Sequence, residues 1–394
     1  MAEKLIFEKS LIKNTMFTYQ KSGRYFAQIA EGLEELGKEE LQELGARDIK
    51  PGHRGFYFSA DKASLYRINY CSRLLSRVLA PLIRFDCHSD KYLYTTACKI
   101  DWPSLIDLKS TFAVKANVSH SNITHSQFAA LRLKDAIVDV FRKKTGDRPD
   151  VDTKTPDVFF NLHIQSNKAT IYLDTSGVSL HRRGYRLQSI AAPMQEIVAA
   201  AIIRLSGWDG SRPLIDPMCG SGTLLCEAMM HYCNIPAGYL RTKFGFESLP
   251  DFDAKTWTSV KQETDSHIRD LPPGLISGSD KSEEAIEATR TNTKIFSQGK
   301  NIVLSVKPFQ NISSLENSVI VCNPPYGIRM ETDTQIKDFM KQLGDFLKQR
   351  CAGGEAYLYF GNRDLIKSIG LKATWKKVLI SGGLDGRLVK YSLY

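Results

Sequence analysis

The chain has no apolar run approaching the roughly 18 residues needed to cross a membrane. Its first residues, Met1-Ala-Glu-Lys-Leu-Ile-Phe-Glu-Lys9, lack the apolar stretch of a secretory leader. The eight cysteines include no CxxC pair, so neither a zinc site nor a disulfide framework is indicated. Cys219, Cys226 and Cys233 recur every seventh residue, a spacing that suits a helix core better than ligation. His120, His125 and His163 lack ligand spacing and read as loop or strand-face residues. The expectation is a reduced, cytoplasmic protein without a metal. Acidic residues are also short: 53 Lys/Arg face 43 Asp/Glu, a net charge of +10. The imbalance is local. Residues 51–190 hold 21 Lys/Arg against 12 Asp/Glu, whereas 1–50 hold 8 against 9 and 191–394 hold 24 against 22. A polyanion partner for the middle segment is the natural inference.

What is present is concentrated at two points. Val319-Ile-Val-Cys-Asn-Pro-Pro-Tyr326 is an apolar run that ends abruptly at Asn323. The run reads as a short strand buried on both faces. Pro324 and Pro325 cannot donate to a ladder and fix φ, so the chain leaves the sheet in a rigid turn. That turn presents an amide, a free carbonyl on Pro324 and the Tyr326 ring at a carboxyl strand end, where open α/β sheets bind ligands. An amide oxygen and a carbonyl suit an amine held during attack, and a ring beside them suits a flat heterocycle.

The second point is Asp216-Pro-Met-Cys-Gly-Ser-Gly-Thr223, where a strand runs into a glycine loop and then a helix. Gly220 and Gly222 let backbone approach a ligand. No Gly-Lys-Ser/Thr follows, which excludes a P-loop, and the third glycine of a dinucleotide fingerprint is missing. Asp280, at a later strand end, is placed to accept hydrogen bonds from ribose hydroxyls.

The remaining chain falls into order around these motifs. Residues 1–22 have no clear period and read as a lead-in. Strands at 25–30 and 55–59, a helix from Leu33 to Leu44, a helix capped by Asp61 and a strand at 78–80 form a small α+β unit over 23–85. Over 86–186 come a strand at 111–118 and a polar loop at 119–126. Next is a helix capped by Ser126, with Phe128, Leu131, Ile137, Val140 and Phe141 on its apolar side. Strands at 158–164 and 168–174 follow, with a turn at Ser166-Asn167. The helix ends in Arg142, Lys143 and Lys144, and the segment exits through Arg182, Arg183 and Arg186. That exit reads as a phosphate-and-base contact or a solvated linker turn, so both clusters are candidate contacts to a polyanion. From 187 to 394 a helix opened by Pro193 precedes strand–helix alternation that finishes in adjacent strands. That pattern implies a mostly parallel sheet with an antiparallel edge. Residues 231–270 interrupt it as an insertion rich in aromatic and charged residues.

Asp216-Pro-Met-Cys-Gly-Ser-Gly-Thr followed by Asn323-Pro-Pro-Tyr resembles the class I S-adenosylmethionine-dependent amino-methyltransferases. The preceding region is similar to a THUMP RNA-binding domain with a ferredoxin-like subdomain before it. With Asn-Pro-Pro-Tyr-Gly-Ile-Arg329, that order resembles the bacterial guanine-N2 methyltransferases of 23S ribosomal RNA, relatives of which are often labelled N6-adenine-specific DNA methylases. The resemblance spans roughly 20–394 and implies a Rossmann-like α/β domain at 187–394 behind an α+β RNA-binding region. It implies that S-adenosyl-L-methionine is held by Asp216, Pro217, Met218, Cys219, Gly220, Ser221, Gly222, Thr223 and Asp280. It places catalysis at Asn323, Pro324, Pro325 and Tyr326, and RNA contacts extend to Arg329. Such proteins usually carry an acid after the third strand for the adenine amine. Here that stretch reads Val306-Lys-Pro-Phe-Gln310, and Gln310 is the nearest candidate. A transfer RNA guanine-N2 methyltransferase, a DNA adenine-N6 methyltransferase and a non-catalytic RNA-binding assembly factor are the alternative readings.

Overall fold

The alternating patterns of the first half of the chain build one sheet, not two. A computed structural model describes residues 16–190, 193–325, 333–380 and 385–394. Its first elements are α1 (Thr18–Ser22), β1 (Arg24–Ile29), α2 (Glu34–Glu43), β2 (Arg47–Gly52), β3 (Gly55–Ser59), α3 (Lys62–Cys71) and β4 (Leu75–Asp86). There follow α4 (Asp90–Ala97), β5 (Thr111–Ser119), α5 (Ser126–Thr145), β6 (Asp150–Val151), β7 (Val158–Gln165) and β8 (Lys168–Asp174). All eight strands pair in the order β2-β3-β1-β4-β8-β7-β5-β6. Strand β4 makes the join: Val78 pairs with Ala27 of β1, and Phe85 pairs with Ala169 of β8. Its register shifts between Pro81 and Ile83, where a proline cannot donate to the ladder. The 78–80 strand expected from sequence is thus the middle of a strand of 12 residues.

Burial alternates along β1, with Tyr25, Ala27 and Ile29 turned to the core and Arg24, Phe26 and Gln28 turned away. Helix α2 lies so close to the core side that a Cβ on Gly37 would meet Ile29. Asp61 caps α3 as expected, accepting from the Ser64 N–H at 2.8 Å. Ser166 and Asn167 both take positive φ, +49° and +59°, which gives the β7–β8 hairpin its tight turn. Three expectations are corrected here. The N-cap of α5 is His125, and Ser126 is already helical. Phe128 and Leu131 are exposed, and α5 buries Ala129, Leu133, Ala136, Ile137, Val140 and Phe141 instead. Helix α6 starts at Glu196 behind Gln195, so Pro193 lies outside it.

The second half contains α6 (Glu196–Ser206), β9 (Leu214–Asp216), α7 (Thr223–Tyr232), α8 (Ala254–Asp265), β10 (Ile276–Asp280), α9 (Glu283–Lys294) and β11 (Val303–Val306). It continues through β12 (Val319–Cys322), α10 (Asp333–Arg350), β13 (Glu355–Phe360), β14 (Trp375–Val378) and β15 (Arg387–Ser392). Its strands order as β11-β10-β9-β12-β13-β15-β14. All pairs are parallel except those of β15, which runs antiparallel to β13 and β14. This is the expected parallel sheet with an antiparallel edge. Apolar side chains fill both faces: Leu214, Val319 and Val321 pack to one side, and Ile215, Ile320 and Cys322 pack to the other with Met340 and Leu343 of α10. Strand order turns back at β9 and β12, so their carboxyl ends open at the switch point of the sheet.

The insertion joins the two halves. Phe244, Phe246, Phe252 and Trp257 surround Tyr66 and Tyr70 of α3, with Tyr66–Phe246 centroids 4.5 Å apart and Tyr70–Trp257 at 5.3 Å. The Tyr70 hydroxyl donates to Asp265 at 2.6 Å, and Arg67 pairs with Glu263 at 2.9 Å. Aromatic residues that looked unpatterned in the sequence are the packing between domains.

Candidate active site

Strand β9 has only three residues, all buried, and ends at Asp216. The chain turns through Pro217-Met-Cys-Gly-Ser-Gly into α7. The Asp216 carboxylate accepts from the Met218 N–H at 3.1 Å. One Asp280 oxygen accepts from the Gly220 N–H at 3.0 Å and the other from the Ser282 N–H at 3.0 Å. Two acidic strand ends therefore meet across the glycine turn. Gly220 and Gly222 have φ of +57° and +78°, in the left-handed region. A Cβ on Gly222 would lie 2.7 Å from the Thr289 methyl, so the position is closed to any side chain.

The adjacent parallel strand β12 is buried throughout and delivers Asn323, Pro324 and Pro325 to the same cleft. A cleft lies between this turn and Asp216, Met218, Cys219, Gly220, Ser221 and Thr223. Ile190, Pro193 and Met194 form a third wall that sequence reasoning missed, because Pro193 and Met194 were read only as the start of a helix. Among the described residues, the buried Asn323 Oδ1 has no hydrogen-bond partner. A buried acceptor left unpaired is costly, and it marks where a donor is expected. Tyr326 and Arg329 lie outside the described residues.

Burial pushes the Asp216 carboxyl up to about 8, and nearby Asp280 adds to the shift against the Met218 N–H. A cationic ligand in the cleft would favour its ionised form. The glycine cradle, the paired acids and the unpaired amide oxygen together fit a cofactor that is cationic and carries ribose hydroxyls. Gln310 does not join them. It is exposed, and its amide donates to Gln342 on α10 at 3.1 Å. Phe309 next to it is buried, edge-on to Phe339 and Phe346.

Two of the three exit arginines, Arg183 and Arg186, are corrected as RNA contacts. Arg183 is 1% exposed; its guanidinium lies 3.3 Å from Glu227 of α7 and donates to the Leu180 and Arg73 carbonyls. Arg186 donates to the Met194 carbonyl at 2.6 Å and to Thr223 Oγ1 at 3.1 Å, beside Glu196. Both are spent inside the protein, tying the exit strap to the helix behind the glycine loop. Asn292 reinforces the strap by accepting from the Leu187 and Gln188 N–H groups and donating to the Ser221 carbonyl. Arg182 stays exposed, as do Arg142, Lys143 and Lys144, although Lys144 pairs with Asp101 at 2.7 Å.

Residues 183–390 match the family model of an RMKL-like methyltransferase domain. The chain belongs to the RMKL-like methyltransferase family. Ahead of that domain, residues 87–174 match a THUMP domain and 24–79 an RlmL ferredoxin-like domain. This RMKL-like protein is 40% identical over 371 residues to "Putative RNA methyltransferase slr0064" of Synechocystis sp., covering 94% of this chain and 97% of that one. It is 35% identical over 383 residues to the ribosomal RNA large subunit methyltransferase K/L of Syntrophotalea carbinolica, covering 94% of this chain and 53% of that one. The chain thus spans about half the length of the K/L proteins it matches. Among solved structures, SMU.472 in complex with SAH superposes with a TM-score of 0.83 at 27% identity, over 95% of this chain and 98% of that one. The RMKL-like protein is a class I methyltransferase that uses S-adenosylmethionine. Among the described residues no helix is long and apolar enough to cross a membrane, and no group of three or more His, Cys, Asp or Glu could hold a metal ion.

Proposed function

We propose that the protein transfers a methyl group from S-adenosylmethionine to the exocyclic N2 amine of a guanosine in 23S ribosomal RNA. The observation that carries this reading is the Oδ1 of Asn323, buried and without a partner among the described residues, on a side chain that lines the cleft of the glycine loop. The THUMP match and the names of the relatives support RNA as the substrate. Residues 86–186 would hold the RNA together with 23–85, and 187–394 would carry out transfer.

Pro217, Met218, Cys219, Gly220, Ser221, Gly222 and Thr223 would enclose the cofactor, with Asp216 balancing its charge and Asp280 at its ribose. When bound, it supplies a methyl group on a cationic sulfur that leaves as a neutral thioether. The amine is a poor nucleophile because its lone pair is delocalised into the ring. Asn323 Oδ1 and the Pro324 carbonyl would each accept one of its N–H bonds, favouring a pyramidal nitrogen as charge develops. Pro325 stiffens the turn, and Tyr326 would stack on a base swung out of its helix. The nitrogen lone pair forms the new N–C bond, and the methylated nitrogen then gives one proton to water. No general base is required.

The test is transfer from labelled S-adenosylmethionine to unmodified 23S rRNA, tRNA or duplex DNA, followed by nucleoside identification. N2-methylguanosine in 23S rRNA alone is expected. N2-methylguanosine in tRNA, or N6-methyladenine in DNA, would overturn the target. RNA binding without transfer to any of them would indicate an assembly factor.

A further inference from the structure

The eight-stranded sheet has helices against one face, and the other face carries a groove. Its two halves share Phe26, Tyr57, His163, Gln165 and Tyr172, so they form one continuous surface across both N-terminal modules. Six cations line it: Arg24, Lys50, Arg54, Arg84, Lys115 and Lys168. No carboxylate lines either half. Among the described residues only Arg54 of the six has a carboxylate within 4.0 Å, Glu31 at 3.9 Å. The buried Arg183, by contrast, is matched by Glu227. An unmatched row of this kind is built for a polyanion.

The groove also has aromatic faces. Phe26 and Tyr57 sit opposite each other on β1 and β3, with centroids 4.8 Å apart, and Tyr57 is 46% exposed. Lys50 pairs with Tyr57 from the neighbouring strand, and both line the groove. Gly52 keeps the rings uncovered: a Cβ there would come within 2.9 Å of both. Half-exposed rings flanked by cations on an open sheet face suit unstacked bases with their phosphates alongside. A duplex offers no base face to such rings, and an acidic peptide has no use for them.

We propose that this open face binds a single-stranded segment of RNA, with a base stacked on Tyr57 beside Phe26 and phosphates paired to Lys50 and Lys168. The proposal rests on the RNA reading above and extends it to a surface separate from the catalytic cleft and from the Arg142–Lys144 cluster. The test is binding of a fluorescent single-stranded RNA to the full chain over a salt series. Tyr57→Ala should weaken binding roughly tenfold. Lys50→Ala with Lys168→Ala should make the logarithmic salt slope shallower by about 1.4. All variants should bind S-adenosylmethionine as the wild type does, which separates a lost groove from a lost fold. If the wild type binds RNA and these variants bind it equally well, the groove proposal falls and the RNA reading stands. A duplex that binds as tightly and loses as much on Tyr57→Ala would overturn the single-strand assignment. A wild-type protein that binds no RNA would overturn both readings.

Discussion

In the eight-stranded sheet, every second residue of β1 faces away from the core, and Phe26, Tyr57 and Lys50 share that open side. In the seven-stranded sheet all four residues of β12 are buried, and polar side chains emerge only where the strands end. A sheet covered on one face can spread polar and aromatic groups over its area. A sheet covered on both faces has nowhere to put them but its edges. The proposed recognition and chemistry separate accordingly: a broad cationic surface on one sheet, and Asp216, Asp280 and Asn323 gathered at one end of the other.

The largest effect that tests this separation is at Asn323. Asn323→Ala should lower kcat by about a hundredfold or more, while RNA affinity stays near wild type. A fully active variant would sink the proposed chemistry, and a loss of RNA affinity of equal size would break the division of labour. Next in size is the buried tie between the halves. Arg183→Ala removes one buried cation from Glu227, which keeps Arg73 at 3.8 Å and the Tyr185 hydroxyl at 3.1 Å, and should cost about 3 kcal/mol in denaturant unfolding. Arg182→Ala, one residue away but exposed, should change stability by less than about 0.5 kcal/mol.

Asp216 offers a smaller test through pH. Burial raises its carboxyl to about 8 in the folded protein, whereas an unfolded chain ionises it near 4. Its contribution to stability is therefore full below about pH 4 and is lost as pH rises towards 8. Asp216→Asn should flatten that decline when cofactor-free protein is unfolded in urea at pH 5 and pH 8. An unchanged slope would show that the carboxyl is already ionised in the fold. The smallest effect is expected at the end of α5. Lys143→Ala with Lys144→Ala should leave stability within about 0.5 kcal/mol and make the RNA salt slope shallower by about 1.4 if both touch phosphate.

Much of the second sheet was legible in the sequence. Its strands are short apolar runs closed by Asp216, Asp280 or Asn-Pro-Pro, and each closing residue has a local physical reason to stop a strand. The first region was harder to read. Strand β2 and helix α4 were not foreseen, and Phe128 and Leu131 sit at helical spacing yet face outward. Periodicity shows that a helix has an apolar stripe but not how wide a neighbour will cover it. The two basic clusters, Arg142–Lys144 and Arg182–Arg186, look alike as sequence. One remains at the surface, while most of the other is drawn inside by Glu227, Glu196 and the Thr223 hydroxyl.

By itself the sequence determined the strand ends, the glycine turn, the Asn-Pro-Pro exit and the location of the positive charge, because each depends on covalent geometry or composition within a few residues. Only the tertiary structure decided which polar groups would lose their water. Burial pushes the Asp216 carboxyl up, spends Arg183 and Arg186 on internal carboxylates, leaves Asn323 Oδ1 without a partner among the described residues, and keeps Tyr57 and Lys50 at the surface. Desolvation depends on what packs from elsewhere in the chain, and that is set by contacts between residues tens to hundreds of positions apart.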